Sequence, residues 1–128
     1  MLSDCPAVAF VGAAGLDRAR GFYEGVLGLT IVSQDGFAVV ARAGGVTIRI
    51  SQPPQVVAAP YTVLGFAVDD IDGKVAALSA RGVAFERCAF MGEAQDERGV
   101  WSFPGGAGKV AWFKGPDGNL LSLSRGPA

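Results

Sequence analysis

Histidine is absent from the 128-residue sequence, and this absence restricts the chemistry that the chain can perform by itself. Histidine is the commonest general base near neutral pH and the commonest ligand for transition metals. A serine–histidine or cysteine–histidine catalytic pair, and a histidine-bound zinc or iron site, are therefore excluded within one chain. Cys5 and Cys88 form no CxxC pair, and we expect them to be free thiols in a reducing cytoplasm.

Hydroxyl groups recur near the end of the chain, which reads KGPDGNLLSLS. The Pro-Asp-Gly sequence at 116–118 predicts a tight turn. The residues after it alternate as in a strand, so Leu121 and Leu123 share one face. Ser122 and Ser124 then share the opposite face, where their hydroxyls are available to a ligand or to ordered water.

Composition indicates one folded domain with a substantial core, because half of the residues are apolar and 18% are charged. The formal net charge is −1 and no basic cluster is present, so we expect no nucleic-acid or membrane partner. The first residues, MLSDCPAVAF, have no basic region before an apolar run and do not resemble a signal peptide. A cytoplasmic location is the expectation.

Periodicity and turn signals predict the same order of elements twice. The first series is a strand at 6–13, a helix at 16–27 and strands at 30–34, 37–43 and 46–51. A proline-rich connector occupies 52–62. The second series is a strand at 63–70, a helix at 71–81 and strands at 83–90, 109–114 and 119–124, with a glycine-rich loop at 91–109 that has room for one short strand.

Two motifs in these elements resemble those of a known family. DRARGFYEGVLGL in the first helix and FKGPDGNLLSL in the last hairpin are similar to the vicinal oxygen chelate superfamily. That superfamily includes glyoxalase I, extradiol dioxygenases, fosfomycin-resistance enzymes and bleomycin-resistance proteins. The resemblance implies a single α+β domain over residues 1–128. Two tandem βαβββ modules, at about 6–51 and 63–125, would form a curved mixed sheet around a shared cleft.

Metal-dependent members of that family place four ligands, usually histidines and glutamates, on the first and fourth strands of both modules. The resemblance puts these positions at Val8, Arg49, Val63 (or Leu64, if the register shifts by one) and Ser122. Valine offers no lone pair, arginine is permanently positive, and a serine hydroxyl is a poor substitute for a carboxylate. We therefore expect no metal and no other cofactor.

Strand parity then selects side chains on the cleft side, if Arg49 points into the cleft. Phe10, Thr47, Arg49 and Ser122 are expected there. Arg49 either anchors a ligand through its guanidinium, forms an internal salt bridge, or extends its charged end to solvent.

Aromatic residues outside these strand positions complete the candidate site. Trp101 and Trp112 are candidates for stacking on a planar ligand, with core packing or a partner contact as the alternatives. Tyr61 follows the connector and either reaches the mouth of the cleft or closes it structurally.

These residues predict a metal-free protein that binds a neutral or acidic aromatic small molecule, because Arg49 would repel a cationic ligand. Two alternatives remain. One is a glyoxalase-like lyase, isomerase or dioxygenase with displaced metal ligands, and the other is a structural or regulatory domain whose cleft is covered by another protein. The resemblance also implies a homodimer.

Overall fold

A computed structural model describes residues 1–126, without the side chains of residues 89, 90 and 93. The chain divides into two compact units, one at 1–58 and one that begins at Ala59. We refer to them as module one and module two. The division lies inside the proline-rich connector that the sequence predicts.

Module one is a four-stranded sheet with one helical segment. Its elements are β1 (Val8–Gly12), α1 (Leu16–Arg20), β2 (Thr30–Gln34), β3 (Ala38–Ala43) and β4 (Val46–Ser51). The strand order is β1-β4-β3-β2, in which β1 and β4 are parallel and the other pairs are antiparallel.

Module two repeats this arrangement. Its elements are β5 (Thr62–Ala67), α2 (Ile71–Ala80), β6 (Trp101–Ser102), β7 (Lys109–Lys114) and β8 (Leu120–Arg125). The strand order is β5-β8-β7-β6, and only the β5–β8 pair is parallel. The α+β class and the two βαβββ modules predicted from the sequence are therefore confirmed.

Each module buries the face of its sheet that carries the aliphatic side chains. In module one the fully buried side chains include Val39, Ile48, Ile50 and Tyr23 of the helical segment. In module two they include Ile71 and Val75 of α2, and Phe113 and Leu121 of the sheet. Alternate residues on the same strands face away from these cores.

The first predicted helix changes its geometry halfway. Residues after Arg20 continue as a π-helical turn, Gly21–Val26. The N–H of Leu27 donates to the carbonyl of Phe22, five residues back, at 2.9 Å. Gly21 and Gly25 contribute little helix propensity, so packing of the buried Tyr23 decides the geometry of this turn.

The strand predicted at 83–90 is wrong as a regular element. Phe85 makes one isolated bridge to Phe113 of β7, and Ala89–Ala94 forms a 3₁₀ segment. The short strand β6 lies within the loop predicted at 91–109, for which the sequence allows one short strand. The segment 83–88 joins β7 through the bridge of Phe85. Gln95, which lies later in the chain, forms hydrogen bonds with Glu86 and Cys88 of this segment.

Within residues 1–126, no helix is both long enough and apolar enough to cross a membrane.

Candidate functional site

The open face of module one carries four of the predicted positions. Val8 of β1 pairs with Thr47 of β4, and Phe10 pairs with Arg49. Phe10 is 66% exposed and Val8 is 48% exposed, whereas Ile48 and its strand neighbour Ile50 are fully buried. The predicted strand parity therefore matches the observed register, and Phe10, Thr47 and Arg49 lie on one face.

Arg49 is half-buried between Phe10 on β1 and Val40 on β3. No salt bridge joins its guanidinium to a carboxylate among the described residues. Its positive charge acts on Asp35 in the β2–β3 turn. The N–H groups of Phe37 and Ala38 lower the pKa of that carboxyl, and the positive charge of Arg49 adds to the lowering.

A row of three residues crosses the open face of module two. Ser122 of β8 pairs with Gly65 of β5 on one side and with Trp112 of β7 on the other. Ser122 is only 8% exposed, so its hydroxyl lies at the base of this face. A Cβ at Gly65 would lie 2.7 Å from the Ser122 Oγ. Glycine at this position therefore leaves the space that the hydroxyl occupies.

A groove of about 450 Å³ opens on the same face of module two. Its wall is formed by the start of the module, by the segment after α2 and by the β7–β8 hairpin. The residues lining it include Pro60, Glu86, Cys88, Met91, Trp112 and Leu120. Lys114 also lines it, and its Nζ lies 3.4 Å from Oε1 of Glu86. The groove thus combines an apolar lining with one opposite-charge pair.

The two tryptophans belong to one aromatic cluster. Trp101 of β6 lies edge-on to Phe103, with ring centroids 4.3 Å apart. The ring centroids of Trp101 and Trp112 are 6.4 Å apart. Trp112 lines the groove, and Trp101 lies beside it on the same face, since Val110, the partner of Trp101 on β7, shares that face with Trp112.

Tyr61 is 66% exposed and immediately precedes β5. Its neighbour Pro60 lines the groove. The structure therefore brings Trp112 and Ser122 together on one face of module two, and Tyr61 is the sequence neighbour of Pro60, which lines the groove. Phe10, Thr47 and Arg49 are together on the open face of module one.

Sequence reasoning missed the residues of the groove wall, Glu86, Cys88 and Met91. Their segment carries the alternation of a strand, which concealed their role. The one available signal was the long polar stretch between α2 and β7, because loops of this length are often functional.

A separate, polar depression lies at the beginning of α2, and several of its charged groups have partners within module two. The carboxylate of Asp70 accepts a hydrogen bond from the N–H of Gly73 and caps the helix. The guanidinium of Arg98 donates to Asp72 at 2.7 Å and to Asp96 at 2.9 Å. The hydrogen bond from Arg98 lowers the pKa of Asp72, and Lys109 adds to the lowering. These contacts therefore join a loop to α2 and are structural.

The four positions that the family resemblance assigns to metal ligands do not fit a divalent cation here. Val8 and Val63 carry hydrocarbon side chains, and Val63 lies at a bulge in β5. Arg49 is cationic and Ser122 is a neutral alcohol. The alternative position Leu64 is 9% exposed and apolar. Among the described residues, no three cysteine, aspartate or glutamate side chains come together as metal ligands.

Comparisons with solved structures identify similar folds. FosX, a genomically encoded fosfomycin resistance protein from Listeria monocytogenes, is 16% identical with a TM-score of 0.77, over 99% of this chain and 96% of that chain. Lactoylglutathione lyase from Agrobacterium tumefaciens is 20% identical with a TM-score of 0.75, over 98% and 96%. TnmS3, an antibiotic binding protein from a Streptomyces species, is 21% identical with a TM-score of 0.74, over 99% of both chains.

A search of the curated proteins found no match to this chain. A family model, however, matches residues 9–123, and its description is Glyoxalase/Bleomycin resistance protein/Dioxygenase superfamily. This match covers nearly the whole sequence, including both motifs that carry the resemblance. The chain therefore belongs to the glyoxalase/bleomycin resistance protein/dioxygenase superfamily.

Proposed function

We propose that this protein binds a neutral or acidic aromatic small molecule and holds it without a metal ion. The observation that carries the proposal is the groove of about 450 Å³ on the open face of module two. Ligand sites are typically concave, mostly apolar and supplied with a few convergent polar groups. The groove has this composition, with Trp112 as an aromatic surface and the Glu86–Lys114 pair as its charged groups.

Trp112 is proposed to stack on a flat ring of the ligand, since an aromatic face provides a large contact area with little loss of side-chain entropy. Ser122, which pairs with Trp112 across the sheet, is proposed as a hydrogen-bond partner. Tyr61 and Trp101 are proposed as further contacts around this surface.

Arg49 is proposed as a polar anchor, with Phe10 and Thr47 beside it on the open face of module one. A half-buried guanidinium gains most from a carboxylate, phenolate or carbonyl of the ligand. The Glu86–Lys114 pair adds no net charge. The charge of Arg49 therefore favours a neutral or acidic ligand over a cationic one.

The proposed physiological role is sequestration of a drug or a metabolite. The chain shares its fold with TnmS3, which is an antibiotic binding protein. That similarity supports the proposal that a chain of this fold can act by holding a ligand. The chemistry of Val8, Arg49, Val63 and Ser122, which supply no suitable metal ligand, supports binding over metal-assisted catalysis.

We also propose a homodimer located in the cytoplasm, on the basis of the family resemblance and of the two free thiols. Sedimentation equilibrium at micromolar concentration tests the dimer. Twice the chain mass of 13.1 kDa is expected, and the mass of a single chain would contradict the dimer.

A panel of three naphthalene derivatives tests the proposed function: naphthoate, the neutral naphthamide and the cationic naphthylmethylammonium. Quenching of tryptophan fluorescence should show saturable binding of the first two and much weaker binding of the cation. Native mass spectrometry of the freshly purified protein should detect any molecule that co-purifies. Failure of all three probes, together with iron, zinc, nickel or manganese retained at one ion per chain after dialysis, would overturn the proposal in favour of an enzyme.

A further inference from the structure

One buried amide organises the segment that walls the groove. Gln95 is 2% exposed and lies between the 3₁₀ segment Ala89–Ala94 and β6. Its Oε1 accepts a hydrogen bond from the N–H of Cys88 at 2.7 Å. Its Nε2 donates to the carbonyl of Glu86 at 2.8 Å and to the carbonyl of Gly99 at 2.9 Å. Both donor hydrogens of the amide are therefore used, as is its oxygen.

The backbone of Gln95 is held from both directions as well. Its carbonyl accepts a hydrogen bond from Nη2 of Arg87 at 3.3 Å. The residue also makes an isolated antiparallel bridge with Trp101 of β6. Gln95 is thus joined both to the chain before the 3₁₀ segment and to the strand that follows.

The two wall residues that Gln95 contacts face the groove. Glu86 and Cys88 both line it, and Glu86 forms the ion pair with Lys114. Their segment has little strand pairing of its own. The N–H of Glu86 donates to the carbonyl of Trp112 at 2.7 Å, and Phe85 makes the isolated bridge to Phe113. Beyond Glu86, the side chain of Gln95 supplies the hydrogen bonds that a regular strand would obtain from its neighbour.

We propose that Gln95 is a positioning residue, which fixes Glu86 and Cys88 as the wall of the ligand groove. The expected effect on ligand binding rests on the proposed function. The hydrogen bonds that Gln95 makes with the wall do not depend on that function. Gln95 makes no contact with the ligand in this account. Its effect on binding is exerted through the two wall residues, because loss of its amide leaves three backbone groups without their partner.

Replacement of Gln95 by methionine tests the proposal, since methionine has a similar length and none of the hydrogen-bonding groups. The variant Gln95→Met is prepared in a Cys5→Ser background, so that Cys88 is the single thiol. Two quantities are measured at 25 °C: the rate at which a chromogenic disulfide reagent modifies Cys88, and the Kd for naphthoate. Released from Gln95, the wall should open, so both the rate and the Kd should rise at least about tenfold.

Val75→Ala in the same background is the matched control. Val75 is buried in α2, and its truncation lowers stability by leaving a cavity without removing a hydrogen bond of the wall. This control should lower Tm while leaving the Cys88 rate and the naphthoate Kd close to those of the parent. Gln95→Glu is a second variant, which keeps the acceptor for Cys88 and loses the donors. It should give an intermediate rate, and it replaces the methionine variant if that variant does not fold.

The outcomes separate this inference from the proposed function. A parental Cys88 rate in the folded Gln95 variants would overturn the positioning role, and so would an equal acceleration in Val75→Ala. If the parent protein does not bind naphthoate, the proposed function loses its support. In that case the rate of Cys88 modification by itself decides whether Gln95 positions the wall.

Discussion

The two modules have the same strand order, yet their open faces differ. Module one connects its helical segment to β2 through residues 27–29, and its open face is bare, with Phe10 66% exposed. Module two connects α2 to β6 through residues 81–100, and part of this segment walls a groove of about 450 Å³. The two modules therefore share the same topology and each has a buried core. The longer connection in module two, at 81–100, adds a concave surface to that module.

This comparison leads to a division of roles. Module two offers contact area through Trp112 and the groove, whereas module one offers a charged group, Arg49, on an open surface. Truncation of each residue, measured with the same ligands, shows what its own face contributes to binding.

Truncation of Trp112 should have the largest effect on binding. Trp112→Ala removes the aromatic surface of the groove, and we expect a loss of about 1.5–3 kcal/mol, or about 10–150-fold in the Kd for naphthoate. Isothermal titration calorimetry measures this change. Phe37→Ala is the control, because Phe37 is 78% exposed in the β2–β3 turn of module one. Equal losses in both variants would show that the groove is not the site.

Truncation of Arg49 should have the second largest effect. Arg49→Ala should raise the Kd for naphthoate about tenfold, with a smaller effect on naphthamide, because the guanidinium interacts mainly with the carboxylate. The Tm should change little, since no salt bridge to Arg49 is present among the described residues.

Arg42→Ala is the matched control for that variant. Arg42 pairs with Thr47 on the same open face and is exposed. A comparable loss of affinity in Arg42→Ala would show that Arg49 acts through its positive charge in general and not through a specific contact with the ligand. A large fall in Tm for Arg49→Ala would instead support the internal ion pair that the sequence left open.

Removal of the Ser122 hydroxyl should have a moderate effect. Ser122→Ala should weaken binding of naphthamide by about 0.5–1.5 kcal/mol, the usual contribution of one neutral hydrogen bond. Ser124→Ala removes a half-buried hydroxyl from the same face, two residues away, and should have less effect. The proposed role of Ser122 would be contradicted if the two serine variants had equal affinities.

Much of the architecture follows from the sequence because strand alternation and turn residues are local signals. Along β4, alternation with a period of two correctly predicts which side chains are buried, since one face of the strand must be buried. Ile48 and Ile50 lie on the buried face, and Thr47 and Arg49 lie on the open face. The predicted β7–β8 hairpin is also confirmed. Its turn was predictable because it contains Gly118, which has a φ of 83°.

The groove wall could not be predicted in this way. VAFERCAF at 83–90 has the composition of a strand, and Phe85 does make one bridge to β7. Its actual course depends on hydrogen bonds from Gln95, which lies later in the chain and is not part of any periodic pattern. Tertiary contacts of this kind override local propensity. The π-helical turn at Gly21–Val26 was missed for a similar reason, since packing decides its geometry.

The smallest expected effect concerns the ion pairs that join the long connection of module two to α2. Arg98→Ala should lower Tm slightly at neutral pH, because exposed ion pairs contribute little. The folded-state pKa of Asp72 is below its usual value of 3.8, so this stabilisation is present above that value. It is lost as the pH falls through the lower folded-state pKa.

Thermal unfolding followed by circular dichroism from neutral to acidic pH measures the difference between wild type and Arg98→Ala. The difference should shrink as the pH falls below 3.8. Lys74→Ala, which removes an exposed positive charge from α2, serves as the control. A difference for Arg98→Ala that persists unchanged in acid would contradict the role of the Asp72 carboxylate.

The central claim is that the ligand is held by shape and polarity without a cation. It is tested most directly by the Kd for naphthoate, measured on one preparation after dialysis against EDTA and again after addition of zinc, iron or manganese. The account predicts the same Kd under all of these conditions. Loss of binding in EDTA with recovery on addition of one of these metals would contradict it.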